Sequence, residues 1–129
     1  MLIRYATFGV IGWCMEILWT GLASFIHRDY RLVSSTSIWM FFIYGLAVFL
    51  EPVCDIIADL PVVVRGGVYV VLIFAAEYAT GRILNMFSLC PWDYSSAKFN
   101  VKGIIRLDYA PVWFFVGLVI EFVHKKYRV

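Results

Sequence analysis

Charge is what this chain has least of. Asp, Glu, Lys and Arg make up 16% of its 129 residues and hydrophobic residues 63%, too little polar surface to wrap a water-soluble core of this size. The net charge of +2 comes from scattered Lys and Arg with no basic patch, which argues against nucleic acid as a partner. The cysteines Cys14, Cys54 and Cys90 show no C-x-x-C and no paired spacing, so the reading has no disulfide framework, no metal and no cofactor. Also missing are a G-x-S-x-G elbow, an H-E-x-x-H helix and a Walker A lysine loop. Any use of ATP would therefore need a separate subunit.

What the chain does have is long apolar runs. A bilayer core about 30 Å thick takes about 20 helical residues, and runs at 5–25, 32–50, 66–89 and 109–123 meet that need, with a motif loop at 90–108. The fold class expected is all-α: a polytopic integral membrane protein of one domain, 1–129, embedded in the lipid bilayer. The first run carries only Glu16 and exceeds the roughly 7–15 residues of a secretory apolar core, so it reads as a span. Glu51-Pro52 closes the second. Because proline suits a first helical turn, 52–60 reads as a short amphipathic helix on the membrane surface, with Val53, Ile56, Ile57 and Leu60 on one face and Asp55 and Asp59 on the other.

An even number of spans puts both termini on one side and separates His27 from His124. Basic residues divide as Arg4, Arg65, Lys125, Lys126 and Arg128 against Arg28, Arg31, Arg82, Lys98, Lys102 and Arg106. The positive-inside rule barely separates these sets, and only the C-terminal cluster favours cytoplasmic termini.

Shifting the chain by 61 positions lays Arg4 on Arg65 and Glu16 on Glu77. The second and fourth spans share Trp39-Met40-Phe41-Phe42 and Trp113-Phe114-Phe115, and each has a glutamate near its end, Glu51 and Glu121. Chance in an apolar-biased chain is one explanation; the other is two parallel-repeated helical hairpins related by an axis along the membrane normal. Glu16 and Glu77 would then sit about 16 Å deep at 1.5 Å per residue, where an ionisable residue is costly and functional by default. Thr80 and Gly81 stand beside Glu77 one turn on. A hydrogen bond to a neighbouring helix is the plainer role for either carboxylate.

After the third span, Cys90-Pro91-Trp92-Asp93-Tyr94 ends the helix and brackets an acid with two aromatics. Arg82 is about 140° round the helix from Glu77. It is expected either to reach Asp93 between Trp92 and Tyr94 or to snorkel to headgroups.

Gly12-Trp13-x-x-Glu16, Ser37-Ile38-Trp39-x-x-Phe42-Ile43-Tyr44-Gly45, Glu77-Tyr78-x-Thr80-Gly81 and Cys90-Pro91-Trp92-Asp93-Tyr94-Ser95, followed by Phe99-Asn100-x-x-Gly103-x-Ile105-x-Leu107, resemble the transmembrane protein 229 family and the related bacterial membrane proteins described as putative ABC-transporter type IV (CmpB-like). The resemblance implies a small multi-pass protein with a transporter label. It adds Trp13, Tyr44 and Asn100 to the candidates Glu16, Glu77, Arg82, Trp92, Asp93, Tyr94 and Thr80. The leading reading is a permease-like or lipid- or small-molecule-handling component acting as a homo-oligomer, with a polar site between the Glu16 and Glu77 helices and the motif loop. A non-catalytic membrane assembly or interaction protein is the alternative, and a membrane-embedded enzyme using Glu77 and Asp93 the third.

Overall fold

The computed structural model describes residues 2–126; Arg128, counted above with the C-terminal basic residues, lies outside them. Helix dominates, as expected of an all-α polytopic membrane protein. The helices are α1 (Leu2–Ile26), α2 (Ile38–Gly45), α3 (Glu51–Ile56), α4 (Val62–Met86) and α5 (Ala110–Lys126). Four segments are long and apolar enough to cross a membrane: Leu2–Ile26, Ile38–Ile56, Val62–Met86 and Leu107–Lys126. Their flanks carry exposed Leu18, Phe42, Val71, Phe115 and Phe122, which suits a lipid solvent.

The second span differs from its sequence reading at both ends. Residues 32–37 are not helical; Leu32 is in the left-handed region at φ 56° and Ser37 is extended. They run beside the end of α1, where the Ser24 and Thr20 hydroxyls donate to the Val33 and Ser35 carbonyls and the Ser35 amide donates back to Thr20 Oγ1. Four consecutive hydroxyl residues, Ser34 to Ser37, compete poorly for helix, and Ser37 serves instead as N-cap for α2, accepting from the Trp39 amide.

At the other end the helix does not stop at Glu51-Pro52. A 3-10 turn, Leu46–Leu50, passes directly into α3, whose first turn holds the proline, where its missing N–H costs nothing. Residues 51–56 therefore continue the span in place of the expected surface helix. The buried side chains there are Glu51 and Cys54, while Ile56 and Leu60 are exposed.

The described residues form two compact units, dividing at Val48 and Phe49. In the first, α1 and α2 form a hairpin; a side-chain carbon at Gly12 would fall 2.1 Å from the Tyr44 ring. In the second, α4 and α5 form a hairpin that also packs α3. Here Tyr69 is completely buried, and a side-chain carbon at Gly117 would fall 2.3 Å from it. Within each hairpin, small-against-aromatic packing lets its two helices approach closely. The 61-residue shift does not superpose these contacts, since Gly12 falls on Ile73 and Tyr69 on Phe8.

The motif loop is ordered. Asn100–Val101 pairs antiparallel with Ile105–Arg106 as strands β1 and β2, and Lys102 and Gly103, at φ 54° and 71°, make the tight turn. A 3-10 turn, Leu107–Tyr109, leads into α5.

Candidate functional site

Glu77 lies 15 residues beyond the start of α4, about 22 Å along a helix about 37 Å long, so it is well inside the span. It is buried, with 8% of its surface exposed, and Oε1 has no hydrogen-bond partner among the described residues. Thr80 does not supply one: its hydroxyl donates back to the Ala76 carbonyl at 2.8 Å. A buried acceptor left unpaired costs about 1–3 kcal/mol, and more for a charged group. Such an atom marks a place where a donor or a proton would be stabilised.

One turn beyond Glu77 the motif loop docks on α4. Ile104, 2% exposed, lies over Gly81, where a side-chain carbon would fall 2.4 Å from Ile104 Cγ2 and 3.1 Å from Trp92 Cζ2. Only glycine leaves room there. Trp92 Nε1 donates to the Ile104 carbonyl at 2.9 Å, fastening the two docking residues to each other. Tyr94 packs edge-on against Tyr109 with ring centroids 5.6 Å apart, and its amide donates to the Gly103 carbonyl. The Asn100 amide group donates to the Ala97 carbonyl at 2.7 Å, and its oxygen accepts from the Gly103 amide at 2.9 Å. Trp92, Tyr94, Asn100, Gly103 and Ile104 together build a cap.

Asp93 and Arg82 are not paired. Asp93 is exposed, and its Oδ1 accepts from the Ser95 amide at 2.9 Å. That bond and the Ser95 hydroxyl hold the carboxyl below the usual range. Arg82 is exposed, with its guanidinium 5.9 Å from the Tyr78 ring centroid. The acid is used locally in a turn, and the arginine reaches the aromatic one turn back rather than forward to the loop. Cys90 is half-buried beside them. Burial pushes its thiol up, a backbone hydrogen bond with Trp92 opposes, and the carboxylates of Asp93 and Glu77 add to the rise.

Glu16 belongs to the other unit. It faces the Tyr44 and Thr36 hydroxyls, while its Oε2 is buried with no partner of its own. Trp13 Nε1 donates to the Ser37 carbonyl at 2.9 Å, so Trp13 holds the start of α2 and Tyr44 faces the acid.

Sequence reasoning missed a second polar cluster, built by α3, α4 and α5. Glu51, Glu121 and His124 are all buried. Arg65 Nε lies 2.9 Å from Glu121 Oε1, but its N–H is not aimed at that oxygen, so the contact is an ion pair and not a hydrogen bond. Lys125 Nζ adds a second cation 3.3 Å from the same oxygen, and His124 faces both Glu51 and Asp55. The signal was present as Glu51-x-x-x-Asp55 and Glu121-x-x-His124, spacings that put each pair on one helix face. Among the described residues no group of His, Cys, Asp and Glu is arranged to hold a metal.

A family described as "Putative ABC-transporter type IV", the CmpB-like family, matches residues 3–128, and the chain belongs to it. No solved structure matches the chain.

Proposed function

We propose that this member of the CmpB-like family is a permease-like component that handles a small molecule or lipid bearing a cationic or hydrogen-bond-donating group, with Glu77 as the carboxylate that receives it. The observation that carries this reading is the unpartnered Oε1 of Glu77, buried inside a span one turn from a docked cap. An acidic group at that depth is unfavourable without a cation, a donor or a proton, and a transported group can supply one in turn. Trp92 and Ile104 hold the cap over the adjacent turn, and Gly81 sets how closely it docks. Four short spans enclose little volume, so a pathway forms more readily between copies of the chain. Energy from ATP would come from a separate subunit. The termini are assigned to the cytoplasmic side on their basic residues.

The alternative is an assembly protein whose buried polar groups hold helices together. The Arg65–Glu121 pair favours it, because that acid already has its cation. An enzyme using Glu77 and Asp93 is the weakest reading, since Asp93 is exposed and engaged in its own turn.

Native mass analysis of the protein released from mild detergent tests the proposal. The expected result is a co-purifying small molecule or lipid with a cationic or donor group, lost in Glu77→Gln while the protein stays folded. A bound protein partner with no small molecule would support the assembly reading. Equal retention by the Glu77→Gln variant would remove Glu77 from the site.

A further inference from the structure

Glu77 is not alone in lacking a partner. Trp113, on α5, has its indole Nε1 shut away from water with no hydrogen-bond partner among the described residues. An unpaired donor, Trp113 Nε1, and an unpaired acceptor, Glu77 Oε1, thus occur in the same compact unit. A buried tryptophan N–H normally finds a partner, and leaving either atom without one is costly.

The packing of α4 on α5 brings the two to one seam. Tyr69 lies against Gly117 and Arg65 against Glu121, so the helices run antiparallel and each step forward on α4 matches a step back on α5. Trp113, four residues before Gly117, therefore stands opposite Ile73. Glu77 is one turn further toward the cap, about 6 Å along the axis at 1.5 Å per residue. The two residues belong to facing stripes, Glu77 with Gly66, Tyr69 and Gly81, and Trp113 with Gly117, Ile120 and His124. A helical side chain leans toward the N-terminus of its own helix, which for α5 is the end at the cap. The Trp113 ring fits that direction, with its centroid 6.4 Å from that of Tyr109 one turn earlier, and Tyr109 in turn meets Tyr94 of the cap. This lean narrows the axial gap to Glu77.

We propose that Trp113 is a second ligand-contacting residue of the Glu77 site, and that the ligand is a small amine with an oxygen acceptor within about three bonds of its nitrogen: the ammonium pairs with Glu77 and the oxygen accepts from Trp113 Nε1. The inference rests on the role given to Glu77 and adds to it the chemistry of the ligand's other end. An ammonium offers donors and no acceptor, so a simple alkylamine would satisfy the acid and leave the indole unpaired. One negative carboxylate beside one neutral N–H suits a ligand with one positive charge and a neutral oxygen, as in an amino alcohol. That headgroup chemistry is shared by amino-alcohol lipids and by water-soluble amino alcohols.

The test titrates the full chain in mild detergent with dodecylamine and with 2-amino-1-dodecanol, read by calorimetry against empty micelles. The amino alcohol should bind about 3- to 10-fold more tightly, the worth of one added hydrogen bond. Trp113→Phe, which keeps an aromatic ring and removes the N–H, should abolish that preference and leave dodecylamine unchanged, whereas Glu77→Gln should weaken both amines. Should Trp113→Phe not fold, the O-methyl ether of the amino alcohol serves in the native chain. It retains the acceptor and lacks the O–H, so it should keep the preference. Displacement of the bound amino alcohol by ethanolamine supports a water-soluble source of this chemistry, and displacement by long-chain amino alcohols alone supports a lipid. Equal affinity for the two amines, as where a water molecule serves both protein groups, would overturn the proposal. So would a preference that survives Trp113→Phe, and if Glu77→Gln still weakened both amines the reading of Glu77 would stand without Trp113. Amines that ignore Glu77→Gln, or that fail to bind the native chain, would remove both.

Discussion

An alanine methyl at position 81 should push the cap off α4, and shortening Ile104 should let it back. In Gly81→Ala the new carbon would fall 2.4 Å from Ile104 Cγ2 and 3.1 Å from Trp92 Cζ2. The first distance is inside any permitted contact, so Ile104 must move. Overpacking of this kind costs about 1–3 kcal/mol, while replacing glycine by alanine within a helix returns about 1 kcal/mol, leaving a net loss of about 0–2 kcal/mol. Ile104→Ala empties a site that is 2% exposed and should cost about 2–5 kcal/mol. In the double variant the atom that clashed is gone and the new methyl fills part of the space. Its cost should therefore fall short of the sum of the singles by about 1–3 kcal/mol. Equilibrium unfolding in detergent gives the energies. Alkylation of half-buried Cys90 in a Cys14→Ser background gives the position of the cap, with faster labelling expected in both singles and slower labelling restored in the double. Additivity within about 0.5 kcal/mol, with Cys90 equally accessible in all four proteins, would refute the docking of Ile104 on Gly81.

Two further outcomes concern the charges of the cap. Because the negative charge of Asp93 helps to raise the Cys90 thiol, Asp93→Asn should lower that pKa and speed alkylation of Cys90 at a fixed pH near 8; an unchanged rate would mean that the two do not interact. Arg82→Gln and Asp93→Asn should each change the melting temperature only slightly, and additively when combined. A large non-additive effect would restore the ion pair that the sequence suggested.

Long apolar runs located all four spans, because the need for about 20 residues of continuous helix depends on composition more than on detail. The ends of the second span were not legible. Its start was misplaced because Leu32 and Val33 extend the apolar run, while the hydroxyls that bond the Val33 and Ser35 carbonyls come from Thr20 and Ser24 on another element. Its end was misplaced because a proline that begins a helical turn can equally follow a 3-10 turn without any break. The motif loop stood out by composition, but its purpose did not. Asp93 draws attention as a charge, whereas Trp92 and Ile104 carry the docking, and their match to Gly81 appears only in three dimensions. The His124 cluster was hidden because hydropathy registers its members one by one near span ends, while its chemistry depends on three helices meeting.

The central claim is that Glu77 carries an unpaired carboxyl inside the membrane, and its reactivity tests this directly. A lipid-soluble carbodiimide, which activates carboxylic acids shielded from water, should modify Glu77 in intact membranes and leave Glu121, held between Arg65 and Lys125, unmodified. Peptide mass mapping before and after treatment reads both sites in one sample. Selective labelling of Glu77 is the predicted result; an unreactive Glu77, or labelling no greater than at Glu121, would contradict the account.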